Sequence, residues 1–146
     1  MDDLQDLYQE IILSHNKRPR NEGPLEPHTH EAEGYNPLCG DRIRVFLRIA
    51  GGVVEGISFQ GDGCAISRAS ASIMTERLKG APVEEIPARV NEVVGMLTSD
   101  EQPAMELTEV GDLAALAGVR KFPARIKCAT LAWHAAEEAS RSGKDG

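Results

Sequence analysis

Residues 42–59 carry the pattern that constrains the fold most, a β-hairpin closed by two glycines. Apolar and mainly charged positions alternate along 42–49, which is the period of a half-buried strand. Gly51 and Gly52 can supply the positive φ angles of a two-residue turn. The returning strand, over 53–59, is expected to place Val53, Ile57 and Phe59 on one side. A third strand is expected near 32–36.

The remaining elements are predicted to be mostly helical. The first helix is expected over 4–15, because five apolar residues recur at helical spacing; they are Leu4, Leu7, Tyr8, Ile11 and Ile12. Four further helices are predicted, over 65–79, 83–97, 112–116 and 123–140. The first of these ends before Gly80, and the second contains Pro87 as a break or restart. Residues 16–27 and 99–111 are predicted to be loops. This order predicts an α+β fold, with helices packed on one face of a small antiparallel sheet of about three strands.

Length, charge and apolar content limit the class of protein. The 146 residues suit one domain over 1–146, with an ordered core over 4–138 and a tail over 141–146. A net charge of −7 argues against a partner such as nucleic acid or an anionic membrane. No apolar run approaches the length of a membrane span, and the acidic N-terminus is unlike a secretory signal. We therefore expect a cytoplasmic protein.

Three cysteines are an odd number, which excludes a complete disulfide framework. Cys39 and Asp41 project to the same side if their segment is extended. Cys64 follows a tight Gly-Asp-Gly connection and is expected at a helix N-terminus, where backbone N–H groups favour a thiolate. Cys128 is expected in the first turns of the last helix, beside Arg125 and Lys127. Together Cys39, Asp41, Cys64 and Cys128 could form one zinc or iron site, although the spacing alone also allows separate buried thiols.

The histidines carry a weaker signal for a site. His28 and His30 have the only paired spacing, and both are expected in a polar loop as exposed side chains. His15 has no partner at ligand spacing, and His134 is expected on a helix face. No P-loop, dinucleotide-binding glycine motif or nucleophile elbow occurs in the sequence.

Five segments together resemble the SufU-type proteins, within the IscU-like group of iron–sulfur cluster assembly proteins. They are LYQEIILSHNKRPRN (7–21), NPLCGDR (36–42), FQGDGCAIS (59–67), ASIMT (71–75) and KFPARIKCATLAW (121–133). The resemblance covers about 4–138, and it implies a small antiparallel sheet packed on helices. It also implies zinc bound by Cys39, Asp41, Cys64 and Cys128, with Arg125 in support. On the same basis, Cys39 accepts sulfur from a PLP-dependent cysteine desulfurase of the SufS type, for delivery to a downstream Suf assembly scaffold.

Three departures favour the zinc-dependent sulfurtransferase branch over the IscU scaffold branch. Lys127 stands where the scaffold branch has a histidine, and the stretch 122–127 lacks the second proline of the scaffold branch's chaperone-binding motif. The separation of Cys64 from Cys128, which is 128 − 64 = 64 positions, is also longer than in scaffolds. Asn16 departs from both branches, which have an aromatic there. Two alternatives remain open: a scaffold holding iron or a labile [2Fe–2S] cluster, and a zinc-stabilised adaptor that only docks on the desulfurase.

Overall fold

A computed structural model describes residues 3–37, 40–98, 116, 119 and 123–141 of the chain. The described elements, in chain order, are α1 (Asp3–Lys17), β1 (His30–Asn36), β2 (Asp41–Ala50), β3 (Val53–Asp62), α2 (Ala65–Leu78), a 3₁₀ turn (Val83–Glu85), α3 (Ile86–Thr98) and α4 (Pro123–Arg141). Every predicted helix and strand that falls on these residues is present. The predicted loop over 99–111, the predicted helix over 112–116 apart from buried Leu116, and the tail beyond 141 lie outside them.

The three strands form one antiparallel sheet, as predicted, and their order in the sheet is β1-β2-β3. Gly51 and Gly52 have φ angles of 61° and 75°, so they form the predicted turn. The register then shifts, because Arg48 pairs with Gly56 while Ile49 pairs with Val54. The extra residue on β3 reverses the alternation of its side chains. The prediction that Val53 lies on the same side as Ile57 and Phe59 is therefore wrong.

Because of the shift, Val54 rather than Val53 faces the core. Val53 is 37% exposed, and Val54 is fully buried in its place. Beyond the shift, Ile57 and Phe59 are buried as predicted. The start of β3 is thus the part of the hairpin that simple alternation does not describe.

The four described helices cover one face of the sheet, as expected for this α+β fold. Helix α4 packs on β1 and β2, α2 packs on β3 and on α4, α1 packs against α2, and α3 packs against α4. A Cβ at Gly34 would lie 2.9 Å from Leu131 Cδ1, so the glycine allows α4 to approach β1 closely. The core between the layers includes Ile43, Val45 and Trp133.

The opposite face of the sheet is charged. Arg42 and Arg44 are exposed there, and they form ion pairs with Glu33 at 3.7 Å and with Glu31 at 3.2 Å. This agrees with the pattern of alternating arginines in the sequence. Among the described helices, none is both long and apolar enough to cross a membrane.

Candidate metal centre

Three side chains from distant parts of the chain converge at one end of the sheet. Asp41 begins β2, Cys64 precedes α2, and Cys128 lies in the second turn of α4. One ligand atom from each lies within 4.8 Å of the other two. Asp41 and Cys128 are 2% and 1% exposed, and Cys64 is half-buried. Of the four predicted ligands these three come together, while Cys39 lies outside the described residues.

Glycines in the connection from β3 to α2 bring Cys64 to this position. Gly61 has a φ of 145°, and a Cβ there would collide with the carbonyl oxygen of Arg42 on the neighbouring strand. A Cβ at Gly63 would lie 3.0 Å from Ser67 Oγ and 3.3 Å from Asp41 Oδ1. The chain can therefore pass close to both β2 and α2 only because these two residues carry no side chain.

Cys64 is the N-cap of α2, as the sequence predicts. Its Sγ accepts a hydrogen bond from the backbone N–H of Ser67 at 3.5 Å. Its own N–H donates to Asp41 Oδ1 at 2.9 Å, and its Sγ lies 3.6 Å from Asp41 Oδ2. Each oxygen of the carboxylate thus has a separate contact, one with the backbone and one with the sulfur.

Cys128 and Arg125 lie on the same face of α4, three residues apart. The Arg125 guanidinium is exposed and faces both sulfurs. Attraction to Cys64, together with a hydrogen bond to Cys128, raises the pKa of Arg125 above its ordinary value. A permanent positive charge therefore stands at the mouth of the site, beside the two thiols.

Two further residues at the site were not singled out from the sequence. Asn36, which is 5% exposed, donates from Nδ2 to Cys128 Sγ at 4.0 Å. Ser67 is fully buried, and its Oγ has no hydrogen-bond partner among the described residues. Ser67 could have been noticed from its place three residues after a predicted N-cap. The contact of Asn36 with a residue 92 positions away has no such signal.

The geometry of Asp41 and Cys64 suits a tetrahedral ion. With Zn–S near 2.3 Å and Zn–O near 2.1 Å, the edge between a sulfur and an oxygen ligand is about 3.6 Å. The separation of Cys64 Sγ from Asp41 Oδ2 is 3.6 Å. Two thiols and one carboxylate are ligands that zinc and iron both accept. Asp41, Cys64 and Cys128 can therefore hold a metal ion.

The described histidines belong to other parts of the fold. His15 is fully buried and lies with Nδ1 2.6 Å from Ser72 Oγ, between α1 and α2. His28 bonds to the Leu25 carbonyl at 2.9 Å and to Glu31 at 3.3 Å. Among the described residues, the group able to hold a metal contains no imidazole.

Comparisons with known proteins identify the family and the fold of the chain. The sequence profile of the NifU-like N terminal domain matches residues 7–129. The zinc-dependent sulfurtransferase SufU of Bacillus subtilis is 44% identical over 135 residues, covering 92% of this chain and 90% of the relative. The iron–sulfur cluster assembly scaffold protein IscU of Streptococcus pyogenes is 41% identical over 136 residues, covering 93% and 84%.

A solved structure shows the same fold. The crystal structure of a nitrogen-fixing NifU-like protein (N-terminal) from Brucella abortus superposes with a TM-score of 0.82 at 27% identity, covering 96% of each chain. The profile match, the two relatives and the shared architecture all indicate the same family. The chain belongs to the family of NifU-like N-terminal domains, together with SufU and IscU.

Proposed function

We propose that this chain is an iron–sulfur cluster assembly protein that works as a zinc-dependent sulfurtransferase. Its two relatives named above are a zinc-dependent sulfurtransferase and an iron–sulfur cluster assembly scaffold, so both names point to cluster assembly. In the proposed reaction, Cys39 accepts persulfide sulfur from a PLP-dependent cysteine desulfurase of the SufS type. The sulfur then passes to a downstream Suf assembly scaffold.

The observation that carries the proposal is the convergence of Asp41, Cys64 and Cys128 within 4.8 Å. Only Gly40 separates Cys39 from Asp41 in the chain. Since consecutive Cα atoms are about 3.8 Å apart, the Cα atoms of Cys39 and Asp41 are at most about 7.6 Å apart. A third thiol is therefore tethered to the group, and a closed shell of three sulfurs and one oxygen is within reach.

Cys39, Asp41, Cys64 and Cys128 would hold the zinc. When bound, zinc favours the thiolate form of its cysteine ligands. The chain's own residues prepare the site independently of the ion. The carboxylate of Asp41 fixes the start of α2 through the Cys64 N–H, and the Arg125 guanidinium offers a positive charge to anionic sulfur.

Sulfur transfer is a thiol–persulfide exchange. The Cys39 thiolate attacks the terminal sulfur of the donor persulfide, and a new S–S bond forms as the old one breaks. The donor cysteine leaves as a thiolate, and the proton of the persulfide stays on the transferred sulfur. One sulfane sulfur moves from one cysteine to another, so the exchange needs no external oxidant or reductant.

Lys127 supports transfer over scaffolding. The resemblance implies a histidine at this position in scaffolds, whereas Lys127 is exposed and its ammonium group has no lone pair for a metal. The scaffold alternative keeps its own support, since the Streptococcus pyogenes scaffold is nearly as similar to this chain as the sulfurtransferase. A sulfurtransferase would bind zinc and carry a single sulfur on Cys39, whereas a scaffold would bind iron and assemble a cluster.

The test is mass spectrometry of the full chain after incubation with a SufS-type desulfurase and L-cysteine. We expect tightly bound zinc after anaerobic purification and one added sulfur atom on Cys39. Iron, with the visible absorption of a cluster after reconstitution, would instead establish a scaffold. A Cys39→Ala variant that still stimulates desulfurase turnover fully would establish an adaptor.

A further inference from the structure

Asn36 connects two parts of the candidate metal centre. It ends β1 and pairs with Asp41 at the other end of the connection that contains Cys39. Its carbonyl accepts the N–H of Gly40 at 2.8 Å, and its Nδ2 donates to Cys128 Sγ at 4.0 Å. The backbone of this residue thus holds one end of the connection, while its side chain is directed at a sulfur.

An N–H donor changes what a sulfur atom can do. It stabilises negative charge on the sulfur and engages a lone pair, which lowers the reactivity of a thiolate toward an electrophile and orients it as a ligand. Both described sulfurs have such a donor. Cys64 Sγ accepts from the Ser67 N–H at 3.5 Å, and Cys128 Sγ accepts from Asn36.

The donor to Cys128 differs from the donor to Cys64 in one useful respect. The Ser67 donor is a backbone group, which a change of side chain leaves in place, whereas the Asn36 donor is a side-chain amide. Asn36 and Cys128 are 5% and 1% exposed, so little water competes for the contact. Arg125 also donates to Cys128, but it is exposed and stays in place when Asn36 is changed. Asn36 is therefore the buried side chain at which donation to a site sulfur can be removed and its effect measured.

We propose that Asn36 is a positioning residue that keeps Cys128 a metal ligand rather than a nucleophile, and so directs incoming sulfur to Cys39. The direction of sulfur to Cys39 rests on the function proposed above. The low reactivity of Cys128 does not, because it is a property of one thiol in this chain. Separate measurements test the two.

The first measurement is alkylation of the metal-free full chain by iodoacetamide, with the modified cysteines identified by peptide mapping. The rates are compared on the alkaline plateau of their pH profiles, above about pH 9, because there they report the reactivity of the thiolate and not the fraction ionised. Asn36→Leu keeps the bulk of the side chain and removes the donor, while Asn36→Ala removes both. We expect both variants to raise the rate of Cys128 alkylation relative to Cys64 by about threefold to tenfold. Unfolding exposes buried Cys128 more than half-buried Cys64 and so raises this ratio by itself. The alkylation that passes through the unfolded state is therefore subtracted first, using each variant's free energy of unfolding in urea and the alkylation rate of the urea-unfolded chain.

A matched control comes from Asn21, whose Nδ2 donates to Thr75 Oγ1 at 3.0 Å, away from the site. Asn21 has a φ of 58°, so Asn21→Gly removes the amide without straining the backbone. We expect the wild-type alkylation ratio in this variant. A raised ratio in Asn36→Ala with a wild-type ratio in Asn36→Leu would show that Asn36 only covers the sulfur, which overturns the proposal.

The second measurement uses zinc-loaded protein. A chromogenic chelator should remove zinc from Asn36→Leu about tenfold faster than from the wild type, and at the wild-type rate from Asn21→Gly. After incubation with desulfurase and L-cysteine, Asn36→Leu should carry sulfur on Cys128 as well as on Cys39. Sulfur confined to Cys39, with an unchanged alkylation ratio, refutes the inference. A wild-type chain that takes up no sulfur refutes the proposed function, and the alkylation ratio still decides the role of Asn36.

Discussion

Asp41 contacts Cys64 with both of its carboxylate oxygens. Oδ1 accepts the backbone N–H of Cys64 at 2.9 Å, and Oδ2 lies 3.6 Å from Cys64 Sγ. Because Oδ2 is the oxygen that lies beside the Cys64 sulfur, it is the one that would face a metal ion shared with that sulfur. One carboxylate therefore fixes the N-terminus of α2 and also contributes to the site.

Two substitutions of Asp41 should separate these roles. Asp41→Asn keeps an oxygen for the Cys64 N–H but turns an amide toward the sulfur, so zinc content should fall sharply with the fold retained. Asp41→Ala should also lose the metal. In the metal-free state its free energy of unfolding should be lower than that of the wild type by about 1 kcal/mol, because the Cys64 N–H loses its acceptor. Metal analysis and urea denaturation check both. Full zinc content in Asp41→Asn would contradict the assignment of Oδ2 as a ligand.

Removal of the metal should lower the stability of the whole chain. The three described side chains that can hold a metal come from β2, from the N-cap of α2 and from α4, so an ion bound there would join three elements. At a free zinc concentration a thousand times Kd, binding adds about 4 kcal/mol, which corresponds to a Tm higher by about 8–16 °C. Calorimetry with and without a chelator measures this shift. Cys64→Ser, which weakens the site, should show a much smaller shift, and an equal one would argue against the site.

His28 should make the stability depend on pH. Its hydrogen bond to the Leu25 carbonyl, together with Glu31 and Glu26, raises the pKa of His28 above its ordinary value. The protonated form is therefore favoured by folding. The stabilisation is fully present below about pH 6.5, the unfolded value, and is lost as the pH rises through the folded value.

The measurement for His28 is urea denaturation of the wild type and of His28→Gln at about pH 5.5 and about pH 8.5. The difference in unfolding free energy between the two proteins should be larger at the lower pH. His30→Gln, the same substitution two positions along the chain, is the reference for any general effect of replacing a histidine. A difference that grows toward high pH would have the wrong sign and would refute the prediction.

Ser70 should matter for stability and leave the site intact. Its hydroxyl donates to the Ala129 carbonyl and accepts the Trp133 Nε1–H at 2.9 Å, in the buried contact between α2 and α4. Ser70→Ala leaves the indole N–H unpaired there, which should cost about 1–3 kcal/mol. Denaturation followed by Trp133 fluorescence measures the loss. We expect zinc content to stay at the wild-type level, and its loss would show that this contact also supports the site.

The sequence predicts the fold well wherever local patterns decide it. The hairpin follows from alternation and from Gly51-Gly52, and α2 follows from the glycine connection before Cys64 and from Gly80 after it. The burial of Val54 in place of Val53 was not predicted, because a bulge depends on cross-strand pairing, which alternation alone does not encode.

The site was predictable in its residue types and not in its arrangement. Three thiols and a carboxylate indicate a metal, and resemblance to a family names the set. The convergence of Asp41, Cys64 and Cys128, the three that the structure describes, depends on how closely α4 approaches β1, where Gly34 meets Leu131. The contact of Asn36 with Cys128 depends on the same approach, since it joins β1 to α4. Neither distance is encoded by spacing along the chain.

The origin of the ligands in separate elements has a consequence for the order of maturation. Cys128 belongs to α4, the last described helix, while Asp41 and Cys64 belong to the earlier hairpin and α2. A nascent chain whose last helix has not yet docked would offer two of these three side chains and would bind an ion weakly. Stable loading of an ion at this place would thus require that α4 has already docked.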